Sequence, residues 1–275
     1  MGKVVLIGAG PGDPELITLK AVRYLRTADV ILTDRLVSEQ ILEEHANPDA
    51  QIFLVGKEGC NNQKSISQKD IDQLLVQYGS ENKLVVRLKG GDVAFFSNVL
   101  NELEILHRFD IPYEIVPGIT AASGASAYAG MPLTARGYAR SVRFLTFSKK
   151  HHLELDNWDE LAKTADTLVF YMAGEAWFDL ATLLLENGID VEKQLAIIEQ
   201  ATTPFQKVRT FSFAQLQNEK PVFDFVSPSL VVVGNVVSLH EKFHWKDAES
   251  LSGQYFPSAD HCKSLTKVSS NIAIH

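Results

Sequence analysis

The stretch Leu84-Val85-Val86-Arg87-Leu88-Lys89-Gly90-Gly91-Asp92 constrains the fold more than any other part of the chain. Its front half is apolar and β-branched, the pattern of a buried strand. Its back half is a glycine pair, which tolerates positive φ and exposes bare backbone to a neighbour or a ligand. A plain tight turn is the other reading of such a pair. Asp92 then puts a carboxylate at the strand's exit. The same arrangement recurs along the first half. Lys3 to Ile7 runs into Gly8-Ala9-Gly10-Pro11-Gly12-Asp13, and Asp29 to Thr33 into Asp34-Arg35. Ile52 to Val55 runs into Gly56-Lys57, and Tyr113 to Val116 into Pro117-Gly118. Helical patterns lie between these runs. Such β/α alternation predicts a mostly parallel sheet with helices on both faces. Ligands then bind at the carboxyl ends of the strands.

The helices have their own signals. Asp13 and Pro14 are a good N-cap and first helical residue for a helix over Glu15–Thr27, with Leu16, Leu19, Val22, Tyr24 and Leu25 as its apolar face. Ser67 and Asp70 resemble a capping box that opens a helix reaching Tyr78 and stopped by Gly79. A third helix covers Asn98–Arg108. Residues 119–130 are rich in small side chains, suited to close packing against a sheet or a ligand. The second half restarts with strands at Ser141–Phe147, Thr167–Met172, Gln194–Glu199 and Ser229–Val233, with Lys207–Phe211 as an antiparallel edge. Helices are expected near Asp156–Lys163 and Glu175–Asn187. The expected layout is an α/β domain over 1–118, a second over 119–245, and a polar, loosely ordered tail over 246–275.

The glycine loop after the first strand invites a dinucleotide reading, which requires G-x-G-x-x-G opening a helix. Counted from Gly8 the last position is Asp13, and counted from Gly10 it is Glu15, so the fingerprint fails. The formal charge of −8 disfavours indiscriminate nucleic-acid binding. No apolar run approaches the ~18 residues that span a bilayer, and no secretory signal precedes the first strand. The two cysteines, Cys60 and Cys262, have no metal-site spacing and no reason to pair. A cytoplasmic protein without membrane or nucleic-acid partners is expected.

Taken in order, the loops resemble a known family. They are Gly8-Ala9-Gly10-Pro11-Gly12-Asp13, Asp34-Arg35-Leu36-Val37-Ser38, Val55-Gly56-Lys57 and Val86 to Asp92. Val116 to Ala122, Tyr128 to Thr134, Phe170-Tyr171-Met172 and Ser227 to Gly234 complete the series. The set is similar to the uroporphyrinogen-III C-methyltransferases of the tetrapyrrole methylase superfamily over roughly residues 3–245. The resemblance implies two α/β domains with S-adenosylmethionine (SAM) in the cleft between them, in a homodimer. It implies two successive methyl transfers to uroporphyrinogen III, giving precorrin-2 on the way to sirohaem or cobalamin, with S-adenosylhomocysteine as by-product and no metal. By matching motif, Pro11, Gly90, Gly91, Asp92, Phe95, Thr120, Ala121, Met172 and Ala201 contact SAM. Asp34 corresponds to the proton acceptor and Lys57 to the proton donor. Arg35, Arg87, Lys89, Arg136, Arg140, Arg143, Lys149 and Lys150 are candidates to meet the substrate's carboxylates, Arg35 and Arg140 foremost.

The chain departs from the family at several positions. Val93-Ala94-Phe95-Phe96-Ser97-Asn98 lacks the usual proline and Gly-Arg-Gly. Ala135 stands for a histidine, Thr146-Phe147-Ser148 for Thr-Gly-His, and Ala201 for a glycine. The histidine downstream of Lys57 is missing from Gly59-Cys60-Asn61-Asn62. A precorrin-type methylase, or a SAM-binding homologue with altered activity, is the alternative reading.

Overall fold

The computed structural model describes residues 2–55, 67–148, 157–246 and 253–256. They form two compact α/β units, one running to Gly118 and taking in Gln254 to Phe256, the other running from Ile119 to Gly253.

The first unit holds a parallel five-stranded sheet: β1 (Lys3–Gly8), β2 (Val30–Thr33), β3 (Gln51–Leu54), β4 (Leu84–Lys89) and β5 (Tyr113–Val116), in the order β3-β2-β4-β1-β5. Its helices are α1 (Leu19–Leu25), α2 (Glu39–His45), α3 (Gln68–Ser80) and α4 (Val99–Arg108). Successive strand residues point to opposite faces, which fixes the layering. Val4, Leu6 and Val85 pack with Ile71, Leu75 and Leu106 of α3 and α4. Val5, Ile7, Val86 and Leu88 pack with Ala21, Leu25 and Ile41 of α1 and α2. Both faces are therefore apolar, as the continuous Val/Ile/Leu runs predict.

Two helix expectations change. The helix expected over 15–27 is a 3₁₀ turn, Pro14–Leu16, followed by the shorter α1. Each piece has its own cap: Asp13 accepts the Glu15 N–H at 2.9 Å, and Thr18 accepts the Ala21 N–H at 3.3 Å. The restart rotates the apolar face, so Ala21 and Leu25 are buried while Leu19 is 89% exposed. Gly79, expected to stop α3, lies inside it. A Cβ there would sit 3.0 Å from Cγ2 of Ile111, so close packing rather than termination explains the glycine. The Ser67–Asp70 capping box is present, with the Ser67 N–H donating to Asp70 at 2.9 Å.

The edge strand β5 is tied to its neighbours by Glu114, which accepts from Lys3 and Lys20 at 2.5 Å each and from the Tyr24 hydroxyl at 2.6 Å. Hydrogen bonds from Lys20, then Lys3 and Tyr24, lower the Glu114 pKa to about 2. A depressed carboxylate contributes stability above its unfolded pKa and loses it as pH falls toward the folded value. The window here runs from about 4.5 down to about 2. In urea melts, Glu114→Gln should be less stable than the parent at pH 6, and the difference should shrink by pH 3.

The second unit holds a mixed sheet: β6 (Val142–Thr146), β7 (Thr167–Tyr171), β8 (Gln194–Glu199), β9 (Lys207–Ser212) and β10 (Ser229–Val233), in the order β6-β7-β10-β8-β9. β6 and β7 are parallel, the other pairs antiparallel, with β9 at the edge. α5 (Ala121–Tyr128) covers one face, where Ala122 and Ala125 meet Val169, Ile198 and Val232. α6 (Trp158–Lys163), α7 (Trp177–Glu186) and α8 (Phe213–Asn218) cover the other, around Phe170, Leu180, Ile197 and Phe213. α9 (Leu239–Phe243) follows β10. The small residues of α5 thus allow close helix–sheet packing.

Part of the stretch expected to be loosely ordered is packed. The Tyr255 hydroxyl lies 2.8 Å from Ser38 Oγ, and Phe256 is 1% exposed. An aromatic pair finds a place on the first unit that a compositional reading of the tail does not foresee. No helix among the described residues is long and apolar enough to cross a membrane.

Candidate functional site

In the first unit, β1 and β4 are neighbours whose following helices, α1 and α4, go to opposite faces of the sheet. Open α/β sheets bind ligands outside the carboxyl ends of such strands. There Gly10 and Gly91 pair, with the Gly10 N–H donating to Gly91 O at 3.0 Å and the Gly91 N–H to Gly10 O at 2.7 Å. Their φ values of +83° and +68° suit glycine. A Cβ on Gly118 would stand 2.3 Å from Gly91 O and 2.7 Å from Gly8 C, and one on Gly90 would stand 2.8 Å from Leu36 O. The exits of β1, β2, β4 and β5 therefore meet backbone to backbone. Pro11 is buried beside this junction, and Phe95, on the loop after Asp92, is 39% exposed.

Asp92 binds the exits together. One carboxylate oxygen accepts the Ala94 N–H and the other the Gly118 N–H, each at 2.7 Å, and the residue is 7% exposed. Both carboxylate oxygens are thus used as a staple between the exits of β4 and β5, and any ligand contact at Asp92 falls to its backbone. Beyond it, Val93 fills the core where the family has proline, and Phe96 and Asn98 take left-handed conformations at φ +51° and +54°.

Asp34 directly follows β2 and meets a buried chain of charge. Its Oδ1 accepts from Arg87 Nη2 at 2.6 Å, Arg87 Nε donates to Glu102 at 2.9 Å, and Lys89 Nζ donates to Glu102 at 3.0 Å. Arg87 Nη1 also donates to the Leu32 and Leu88 carbonyls, at 3.3 and 3.1 Å. Burial opposes the Arg87 charge, but Asp34 and Glu102 outweigh it and raise its pKa. Burial, helped by the Arg87 charge, pushes the Lys89 amine down. Arg87 and Lys89 were candidates for the substrate's carboxylates; both are buried and committed to Glu102 and Asp34. Arg143 is likewise held, by Glu160 and Asp166 at 2.6 Å each. Glu102→Ala would leave buried Lys89 without its carboxylate and Arg87 with Asp34 alone, and should cost about 3–5 kcal/mol of stability, measurable by urea unfolding.

Arg35, next to Asp34, is half-buried, while Arg136 and Arg140 are exposed on a turn closed by the Ala135–Ala139 pairing. Lys57, Lys149 and Lys150 lie outside the described residues. In the second unit, Thr120 and Ala121 open α5. Met172 follows β7 at φ +59° with 59% exposure. Ala201, 8% exposed, sits between Gln200 and Thr202, at φ +45° and +68°. That turn is fixed by Gln206, which accepts the Thr202 N–H at 2.7 Å. Left-handed non-glycine residues cost on the order of 1–3 kcal/mol each and concentrate at binding loops.

Sequence reasoning missed Glu102, Tyr171 and Gln206. A signal for Glu102 was present: Arg87 and Lys89, two apart, share one face of a strand that is otherwise apolar. Two cations on a buried face require an anion opposite.

A family model for Tetrapyrrole (Corrin/Porphyrin) Methylases matches residues 3–217. The siroheme synthase of Vesicomyosocius okutanii subsp. Calyptogena okutanii (strain HA) is 43% identical over 254 residues, 92% of this chain and 54% of that protein. The chain spans about half the length of the curated relatives it matches. Among solved structures, a uroporphyrin-III-C-methyltransferase from Thermus thermophilus is 36% identical with a TM-score of 0.69, covering 90% of this chain and 98% of that one. The Thermus thermophilus enzyme complexed with S-adenyl homocysteine is 34% identical with a TM-score of 0.71, covering 86% and 100%. The chain belongs to the tetrapyrrole (corrin/porphyrin) methylase family.

Proposed function

We propose that this chain is a SAM-dependent C-methyltransferase that converts uroporphyrinogen III to precorrin-2 by two successive methylations, acting as a homodimer without a metal. The observation that supports it most is the glycine junction of four strand exits, with the Asp34 turn packed against it. At Gly8, Gly90 and Gly118 an added Cβ would meet backbone atoms at less than 3 Å, so the junction is bare backbone. Such a surface suits the amino-carboxylate and ribose groups of SAM. Pro11, Gly90, Gly91, Asp92 and Phe95 are the contacts proposed from the first unit, with Thr120, Ala121, Met172 and Ala201 from the second.

Bound there, SAM supplies an electrophilic methyl on a sulfonium, and positioning supplies much of the rate. Arg87 fixes one oxygen of Asp34, which leaves Oδ2 to take the proton released as the pyrrole system rearranges. Lys57 is the proposed donor of the returning proton. Arg35 and Arg140 are proposed to meet carboxylates of the tetrapyrrole. The altered segment Val93–Asn98, with its two left-handed residues, favours a second reading in which a related tetrapyrrole of precorrin type is the acceptor.

Calorimetric titration of the full chain with S-adenosylhomocysteine tests the donor site. Binding of one molecule per chain at about micromolar affinity is expected. Saturable binding of an NAD-type dinucleotide instead would overturn the reading.

A further inference from the structure

Thr120 occupies the N-cap position of α5, with extended backbone at φ −65° and ψ 148°, but its side chain makes no capping bond. A threonine there ordinarily accepts an N–H from the first turn. That service comes instead from across the sheet. The Tyr171 hydroxyl accepts the Ala122 N–H at 3.0 Å and lies 2.7 Å from Thr120 Oγ1. The ring is held edge-on to Phe144, with centroids 6.3 Å apart and planes at 77°. Tyr171 is also the last residue of β7, so the next residue is Met172, turned out at φ +59°.

We infer that Tyr171 is a positioning residue for the methyl donor. Its hydroxyl locks the start of α5 to the end of β7, so that Thr120, Ala121 and Met172 move as one piece. By taking over the cap, it relieves Thr120 Oγ1 of the bond that would turn it back on its own helix. The inference rests on the proposed reading that Thr120 and Met172 contact SAM. It adds the physical link between them, a single phenol oxygen joined to two residues at the start of α5, 51 and 49 positions away in sequence.

The test is a double-variant cycle on the full chain, with S-adenosylhomocysteine affinity read by calorimetry and thermal midpoint read without ligand. Tyr171→Phe keeps the ring and should weaken binding about tenfold, the effect of one well-placed hydrogen bond. Thr120→Val should weaken it similarly. The double variant should lose less than the product of the two, because both act through one linkage. Parent-like affinity of Tyr171→Phe alongside a weakened Thr120→Val overturns the inference and leaves the donor site standing. A lower midpoint of Tyr171→Phe with unchanged affinity overturns it as well, since that is a structural role only. Unchanged affinity of Thr120→Val removes the underlying reading instead.

Discussion

Asp34→Asn is expected to reduce methyl transfer to the tetrapyrrole by about three orders of magnitude, within the 10²–10⁴ range of positioned general bases. Affinity for S-adenosylhomocysteine should stay within about twofold. The amide keeps the shape and can still accept from Arg87 Nη2, so the β2 exit should hold its form. What disappears is an oxygen able to take a proton. Comparison of single-turnover rates with calorimetric affinity separates the two effects. A variant that loses affinity and rate together would place Asp34 in binding rather than proton transfer.

Gly118→Ala is expected to be among the most disruptive single-methyl changes in the molecule. The added Cβ would stand 2.3 Å from Gly91 O and 2.7 Å from Gly8 O, both backbone atoms of neighbouring strand exits. Overpacking of a rigid site costs typically 1–3 kcal/mol, and here no flexible side chain can yield, so about 3 kcal/mol or more is expected. Binding of S-adenosylhomocysteine should fall with it, because relief of the clash opens the junction. Gly137→Ala is the contrast. A Cβ there meets nothing within 4 Å, and only its φ of +87° resists, so a cost of about 1–2 kcal/mol and unchanged affinity are expected. Chemical denaturation of both variants, with and without ligand, checks the pair.

The strands were the most legible part of the chain. Leu84-Val85-Val86 and Ser229 to Val233 are β-branched runs between clear breakers, and their bounds follow from composition. Helix ends were less legible, because competing caps are decided by what the helix packs on. Asp13 and Thr18 are both good caps five residues apart, and the structure uses both. Gly79 shows the same limit: a glycine inside a helix and one ending it look alike until Ile111 is seen against it. The candidate site was readable where it is made of glycine and acid at strand exits. It was misread where charge was concerned, since Arg87 and Lys89 look like surface cations until Glu102 is found beneath them. Tyr171 stood in a matching motif, but its linking role was hidden because its contacts, Thr120 and Ala122, lie about fifty residues back in the chain.

The account depends on the glycine junction presenting a methyl donor beside Asp34. Incubation of the full chain with methyl-labelled SAM and uroporphyrinogen III tests this directly, by label counted per tetrapyrrole. Two labelled methyl groups per tetrapyrrole, abolished in Asp34→Asn, is the predicted result. Donor binding without transfer to this acceptor would contradict the assigned reaction, and absence of donor binding would contradict the site itself.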